Sequence, residues 1–223
     1  MESFADEFRK PGSSGRASGR IRRAEAGLEF ARVLNFSDGV FAIAITLLVL
    51  ALEIPENSSD FSGQLSDQGP DLFAFALSFA VLGRIWWIFH HRLFSELAEF
   101  DGPLIALNFV YLALVALVPF SSELLGDYSG EATAVAIYAA NIGGLGLIGG
   151  LMVEYAFGRE LMSIDAQKRR DEYVGFRNFA FPGVFLASIA IAFAVGPEAA
   201  MLSWLSLVAL GPIADRLRRR DRG

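Results

Sequence analysis

Long apolar runs dominate this sequence and leave few architectures open to it. The 223-residue chain is 53% hydrophobic with a mean hydropathy of +0.42, and its apolar residues come in continuous stretches rather than in alternation. Six stretches each approach the roughly 20 residues that a membrane-spanning helix needs. They are residues 30–53, 71–93, 103–123, 131–155, 173–195 and 198–215. This pattern predicts an all-α integral membrane protein with six transmembrane helices.

The charges between these stretches sort by sign. The connections after the first, third and fifth stretches carry acids and neither Lys nor Arg. Apart from Arg84, the 19 basic residues lie in the two tails or near the other connections. Because basic loops stay on the cytoplasmic side, we expect both termini in the cytoplasm, which requires an even number of spans. The predicted location is the plasma membrane, as a multi-pass protein.

The two ends of the chain differ in composition from the middle. Residues 1–29 are rich in Arg, Ser and Gly and lack the apolar core of a signal peptide. We expect a disordered basic cytoplasmic tail over 1–29, a six-helix transmembrane domain over 30–215 and a basic cytoplasmic tail over 216–223. The absence of cysteine excludes disulfides and thiolate chemistry. No serine has a histidine partner that can be placed at its depth, so we predict no enzyme activity. We also expect no cofactor, no metal site and no nucleic-acid partner.

An acid stands near the start of the first stretch, FSDGVFAIAITLLVL, residues 36–50. The uninterrupted apolar run from Gly39 to Leu52 is about 21 Å long as a helix, which is short of a bilayer core of about 30 Å. A spanning helix must therefore include Asp38, roughly 10 Å inside the cytoplasmic end. A bare carboxylate near mid-membrane costs about 2.5–3.5 kcal/mol, so we expect it to have a polar partner.

Four polar residues on the second and third stretches are candidate partners of Asp38. Arg84 lies at a similar depth, and Asn108 with His90 or His91 reaches the same inner third of the membrane. Neighbouring histidines on a helix point about 100° apart and cannot both bind one metal ion. We favour a polar contact that fixes helix packing over a proton relay.

The run RVLNFSDGVFAIAITLLVL, residues 32–50, resembles the first-helix signature of the transmembrane protein 175 family of potassium channels. WIFHHRLF at residues 87–94 is also similar, as are Leu107-Asn108 and Val118-Pro119-Phe120. The resemblance covers the first three stretches well and the carboxy half by hydropathy only.

This resemblance implies a six-helix subunit that assembles as a homotetramer around a central pore lined by the first helix. It implies that apolar side chains, rather than backbone carbonyls, narrow the pore. The constriction then falls on Ile43, Leu47 and Leu50, with Thr46 as a polar layer. The structural motif of the family falls on Arg32, Phe36, Ser37 and Asp38.

Spacing alone agrees with a constriction but does not select it. Ile43, Leu47 and Leu50 form an i, i+4, i+7 stripe, although almost any such triplet in this helix is apolar. We predict a passive, potassium-permeable cation channel. The alternatives are a proton-conducting channel or a secondary transporter that uses Asp38. We find no internal repeat of the kind that transporters contain.

Small residues in GGLGLIGG, residues 143–150, leave a further question open. Gly146 and Gly150 form a G-x-x-x-G pattern that lets helix backbones approach closely in lipid. The pattern fits a contact within the subunit or between subunits equally well. Pro182 in the fifth stretch is expected to kink its helix.

Overall fold

The secondary structure of this computed structural model is helical. The structure describes residues 13–52, 61–173 and 177–207, and these contain no strand beyond an isolated bridge between Leu97 and Met162. The chain divides into two compact units, Met1–Asp38 and Gly39–Gly223. The all-helical prediction is therefore confirmed for the described residues.

Eleven α-helices follow one another along the described residues. In chain order they are α1 (Ser13–Leu47), α2 (Phe61–Asp67), α3 (Gly69–Arg84), α4 (His91–Ser95), α5 (Gly102–Ala116), α6 (Val118–Asp127), α7 (Ala132–Gly158), α8 (Ile164–Lys168), α9 (Arg170–Tyr173), α10 (Arg177–Ala194) and α11 (Pro197–Ser203). A 3₁₀ turn over Leu48–Ala51 continues α1, and a π-helical turn over Ile85–His90 joins α3 to α4.

The first four predicted spans have counterparts among these helices. By length and composition, the segments that can cross a membrane are Gly27–Ala51, Gly69–Ser95, Gly102–Asp127 and Ala132–Gly158. The fifth stretch contains α10, whose apolar part Asn178–Ala194 is shorter. The sixth stretch begins with α11, and residues 208–215 lie outside the described part of the chain. The count of six spans and the placement of both termini stay predictions.

Helical backbone begins earlier than the sequence suggested. The helix α1 starts at Ser13 and so includes residues 13–29. The disordered tail over 1–29 stays a prediction. Arg, Ala and Glu recur in this stretch and have good helix propensity, which favours the early start of α1. The domain boundaries at residues 29 and 215 stay predictions.

Gly146 and Gly150 of α7 face α10 within the same chain. A Cβ added to Gly146 would lie 2.8 Å from Cδ1 of Phe181 and 3.0 Å from Cδ of Pro182. A Cβ added to Gly150 would lie 3.1 Å from Cε1 of Phe179. Both members of the G-x-x-x-G pattern thus allow close packing within the subunit. Of the two contacts considered from the sequence, this is the one that the structure contains.

A buried polar cluster joins the second, third and fourth segments. The Ser78 hydroxyl donates to Oγ of Ser122 at 2.9 Å and lies 3.1 Å from the Tyr138 hydroxyl. The Ser122 hydroxyl donates to the backbone oxygen of Ala74 at 3.1 Å. Buried hydroxyls are stable in an apolar interior only when they are hydrogen-bonded, so these bonds specify how the three segments pack.

Hydrogen bonds connect the segment that follows α4 to the segment that follows α7. We call the residues that form them the loop clasp (Glu96, Ser163, Arg169 and Tyr173). The Glu96 carboxylate accepts hydrogen bonds from Arg169 at 2.9 Å, Tyr173 at 3.1 Å and Ser163 at 3.3 Å. The Ser163 amide also donates to the Glu96 carbonyl at 2.8 Å. The Arg169 hydrogen bond has the largest effect on the pKa of Glu96, and with Tyr173 and Ser163 it outweighs burial. The pKa of Glu96 is therefore lowered from its usual value.

Candidate functional site

The predicted constriction residues share one exposed face at the end of α1. Ile43 is 60% exposed, Leu47 43% and Leu50 74%. Thr46 is exposed beside them, and its hydroxyl donates to the backbone oxygens of Ala42 and Ile43 at 3.0 and 2.9 Å. A large apolar face that the subunit itself leaves uncovered is suited to contact a pore, another copy or lipid. We call this face the exposed stripe (Ile43, Leu47 and Leu50).

Three residues that point away from the exposed stripe are buried in the core. Phe41, Ala44 and Leu48 are 1%, 2% and 1% exposed. Their i, i+3, i+7 spacing and a rotation of about 100° per residue place them across the helix from Ile43 and Leu50. The structure therefore separates the two faces of a helix that is apolar on both.

Aromatic rings hold the buried face in place. The Phe41 ring centroid is 5.2 Å from that of His90 and 6.2 Å from that of Tyr111. The His90 ring in turn stacks on Phe94, with centroids 4.4 Å apart. We call Phe41, His90, Phe94 and Tyr111 the aromatic cluster. The sequence did not single out Phe41 and Tyr111, because an aromatic residue inside an apolar span carries no signal that sets it apart.

The four candidate partners of Asp38 fall into two pairs. His90 and Asn108 are both buried, and Nε2 of His90 lies 3.2 Å from Oδ1 of Asn108. His91 is exposed and stacks on Trp87, with ring centroids 5.6 Å apart and planes 16° apart. Arg84 is also exposed. The structure thus brings His90 and Asn108 together and leaves His91 and Arg84 exposed on the surface of the chain.

The residues of the resembling motif belong to the first unit of the chain and differ in exposure. Ser37 is fully buried, and its hydroxyl donates to the Val33 carbonyl at 2.8 Å. Asp38 is half-buried, whereas Arg32 and Phe36 are exposed. The choice of a partner for Asp38 stays a prediction. In the described ranges 13–52, 61–173 and 177–207, no group of three or more His, Asp or Glu residues could hold a metal ion.

Known proteins are similar to this chain over the segments that carry these residues. The profile of the family described as endosomal/lysosomal potassium channel TMEM175 matches residues 32–119. A potassium channel of Chamaesiphon minutus is 31% identical over 173 residues, which is 74% of this chain and 85% of that protein. The chain belongs to the TMEM175 family. The predicted family is confirmed, and it is a family of ion channels rather than enzymes.

Two further comparisons describe the extent of the likeness. A potassium channel of Streptomyces collinus is 43% identical over 116 residues, and this match spans 50% of the chain and about half, 55%, of that relative. A crystal structure of a lysosomal potassium-selective TMEM175 homolog from Chamaesiphon minutus has a TM-score of 0.69 at 28% identity. The match covers 83% of this chain and 97% of that one. The TMEM175 fold therefore extends over most of the chain.

Proposed function

We propose that this protein is a subunit of a passive, potassium-permeable channel whose pore constriction is the exposed stripe. The observation that carries the proposal is the exposure of Ile43, Leu47 and Leu50 on a helix whose opposite face is buried. Membership of the TMEM175 family and similarity to bacterial relatives named as potassium channels support potassium as the permeant ion. No cofactor is required.

One copy of α1 cannot enclose a pore, so the proposal includes a symmetric homo-oligomer, with four subunits as the expected number. The channel domain spans residues 30–215 in six helices, between the basic segments 1–29 and 216–223. Both termini lie in the cytoplasm and the protein resides in the plasma membrane. The segregation of basic and acidic connections supports this orientation.

The proposed mechanism depends on a dry constriction. Rings of Ile43, Leu47 and Leu50 narrow the pore with apolar side chains, and water leaves such a ring when it is tight. A cation must shed part of its hydration to pass, which costs more for the strongly hydrated sodium ion than for potassium. The exposed hydroxyl of Thr46 supplies a polar contact between apolar layers.

The test is conduction by purified protein in planar bilayers under potassium and sodium bi-ionic conditions. Ile43→Asn widens and wets the constriction, so we expect larger currents and a reversal potential closer to zero. A barrier lower by about 1.4 kcal/mol corresponds to roughly tenfold more current. The matched control is Ile45→Asn, because Ile45 is half-buried and lies off the exposed stripe.

Two outcomes would contradict this assignment. If Ile45→Asn changes selectivity and Ile43→Asn does not, the pore-facing side of α1 is a different one. If the purified oligomer passes protons but no potassium, the proton-conducting alternative replaces the potassium channel. A pH gradient across the bilayer distinguishes the two ions.

We further propose that Arg32, Phe36, Ser37 and Asp38 act as a structural motif rather than as a proton relay. Asp38→Ala removes a charged group and leaves its polar neighbours unpaired, so assembly should fall, by about 3–5 kcal/mol if the contact is buried. Asp38→Asn should be milder, because an amide still accepts a hydrogen bond. The measurement is the assembled fraction by native mass spectrometry. Normal assembly of both variants with a loss of proton-dependent current alone would support a relay.

A further inference from the structure

Arg84 is a charged residue far from either end of the second membrane segment, and its side chain lies on the outer surface of that segment. It lies 11 residues before the end of Gly69–Ser95, or about 16 Å along a helix. Its side chain is exposed. A charge at such depth is unfavourable unless it has an anionic partner or reaches polar surroundings. Asp71 is the only acid in the segment and is 13 residues away, so the helix itself offers no partner.

Arg84 belongs to a face that continues toward the basic end of the segment. Trp87 follows within the π-helical turn over Ile85–His90 and His91 comes directly after it, at spacings of three and four residues along the chain. Trp87 is 63% exposed, His91 is exposed, and their rings stack at 5.6 Å. Leu82 and Ile85 are buried on the other side. The exposed residues therefore extend over about 10 Å of the segment, from Arg84 inside the membrane to His91 near the interface.

We propose that Arg84, Trp87 and His91 form a binding site for the phosphate of an anionic lipid in the cytoplasmic leaflet. The apolar stem of Arg84 can extend along the helix toward the interface, where its guanidinium can donate two hydrogen bonds to phosphate oxygens. Trp87 has the exposure and the ring character of residues that sit at the membrane interface. A ring N–H of His91 supplies a further donor at the headgroup level.

Charge and depth favour a lipid over a carboxylate of a second copy. The aromatic pair lies on the interface side of Arg84, so a partner that enters from the headgroups meets all three side chains. The basic end of the segment faces the leaflet that holds anionic lipids in the proposed orientation. The site needs only a membrane-spanning segment and does not depend on where the pore lies.

The test is a titration of the full-length protein in detergent with phosphatidylglycerol, followed by native mass spectrometry. We expect one retained phosphatidylglycerol per subunit, no comparable retention of phosphatidylcholine, and no displacement by excess inorganic phosphate. Arg84→Gln should weaken binding at least tenfold, and Trp87→Leu should weaken it several-fold. Arg84→Lys keeps the charge but loses the bidentate geometry, so an intermediate affinity is expected.

The controls are Arg170→Gln, at an exposed arginine outside the spans, and Phe79→Leu, at a 49%-exposed aromatic residue on the same segment. The proposal is overturned if Arg84→Gln leaves phosphatidylglycerol binding unchanged, or if Arg170→Gln lowers it equally. It is also overturned if Arg84→Gln breaks the oligomer in lipid-free detergent while lipid binding persists, because the partner is then a carboxylate of a neighbouring copy. The melting temperature of each variant shows whether it is folded.

Discussion

At the scale of single residues, Gly146 sets the distance between α7 and α10. A Cβ at this position would lie 3.0 Å from Cδ of Pro182, whose ring is fixed and cannot rotate away. At Gly144 the nearest atom to an added Cβ is Cδ1 of Leu114 at 3.4 Å, which is an ordinary contact. The two glycines are two residues apart on one helix but meet different amounts of space.

We therefore expect Gly146→Ala to destabilise the fold by about 1–3 kcal/mol through overpacking. Gly144→Ala should be neutral or stabilising by up to about 1 kcal/mol, because alanine favours helix. The free energies of unfolding in mixed detergent micelles measure both. Equal effects of the two substitutions would show that α7 and α10 can separate freely.

A second pair of residues compares a satisfied hydroxyl with an unsatisfied one. The Tyr111 hydroxyl is buried and has no hydrogen-bond partner among the described residues, whereas the Tyr138 hydroxyl lies 3.1 Å from Oγ of Ser78. Tyr111→Phe should leave stability unchanged or raise it slightly, and Tyr138→Phe should lower it by about 1 kcal/mol. The same unfolding measurement applies. A large loss on Tyr111→Phe would point to an internal water or ligand on that hydroxyl.

At the scale of elements, the loop clasp joins the connection after α4 to the connection after α7. The pKa of Glu96 is lowered by its partners, so the native state favours the carboxylate more than the unfolded chain does. The clasp therefore contributes its full stability at pH values above 4.5, the ordinary pKa of a glutamate. This contribution to stability is lost as the pH falls through the lowered pKa that Glu96 has in the folded protein.

We expect Glu96→Gln to lower the free energy of unfolding near neutral pH by about 1 kcal/mol, since Glu96 and Arg169 are partly exposed and solvent screens the pair. The difference from the unmodified protein should stay constant down to about pH 5 and shrink below that. Lys168→Gln is the control, because its ion pair with Asp165 is highly exposed and should matter by less than about 0.5 kcal/mol. A difference that grows toward acid pH would contradict the role of the Glu96 carboxylate.

At the scale of the whole molecule, the absence of cysteine allows a direct test of assembly. Symmetric copies around a pore axis bring identical residues of α1 near one another, within reach of a disulfide when side chains converge. Under mild oxidation, Leu47→Cys should give covalent dimers on a denaturing gel, and Ile45→Cys should not. Native mass spectrometry should show four subunits. A monomer, or cross-linking through Ile45→Cys alone, would count against a pore lined by the exposed stripe.

The sequence by itself determined the membrane class, the first four segments and the family. These features depend on hydropathy and on short motifs, which are properties of contiguous residues. The membrane class and the first four segments follow from long apolar runs. The TMEM175 family follows from short motifs such as Phe36-Ser37-Asp38, and the profile match over residues 32–119 confirms it. The apolar run did not indicate that α1 begins as early as Ser13, because residues 13–29 are polar.

Only the tertiary structure decided which faces meet. From Gly39 to its end, helix α1 is apolar on nearly every side, so its periodicity could not tell Ile43 from Phe41, and the difference comes from the rings packed behind Phe41. The G-x-x-x-G pattern is compatible with a contact within the chain or between chains. In the structure, Pro182 packs beside Gly146, so the contact within the chain is present. The bond between Glu96 and Arg169 joins residues 73 positions apart. Such contacts depend on how segments distant in the chain come together in space, which no local pattern encodes.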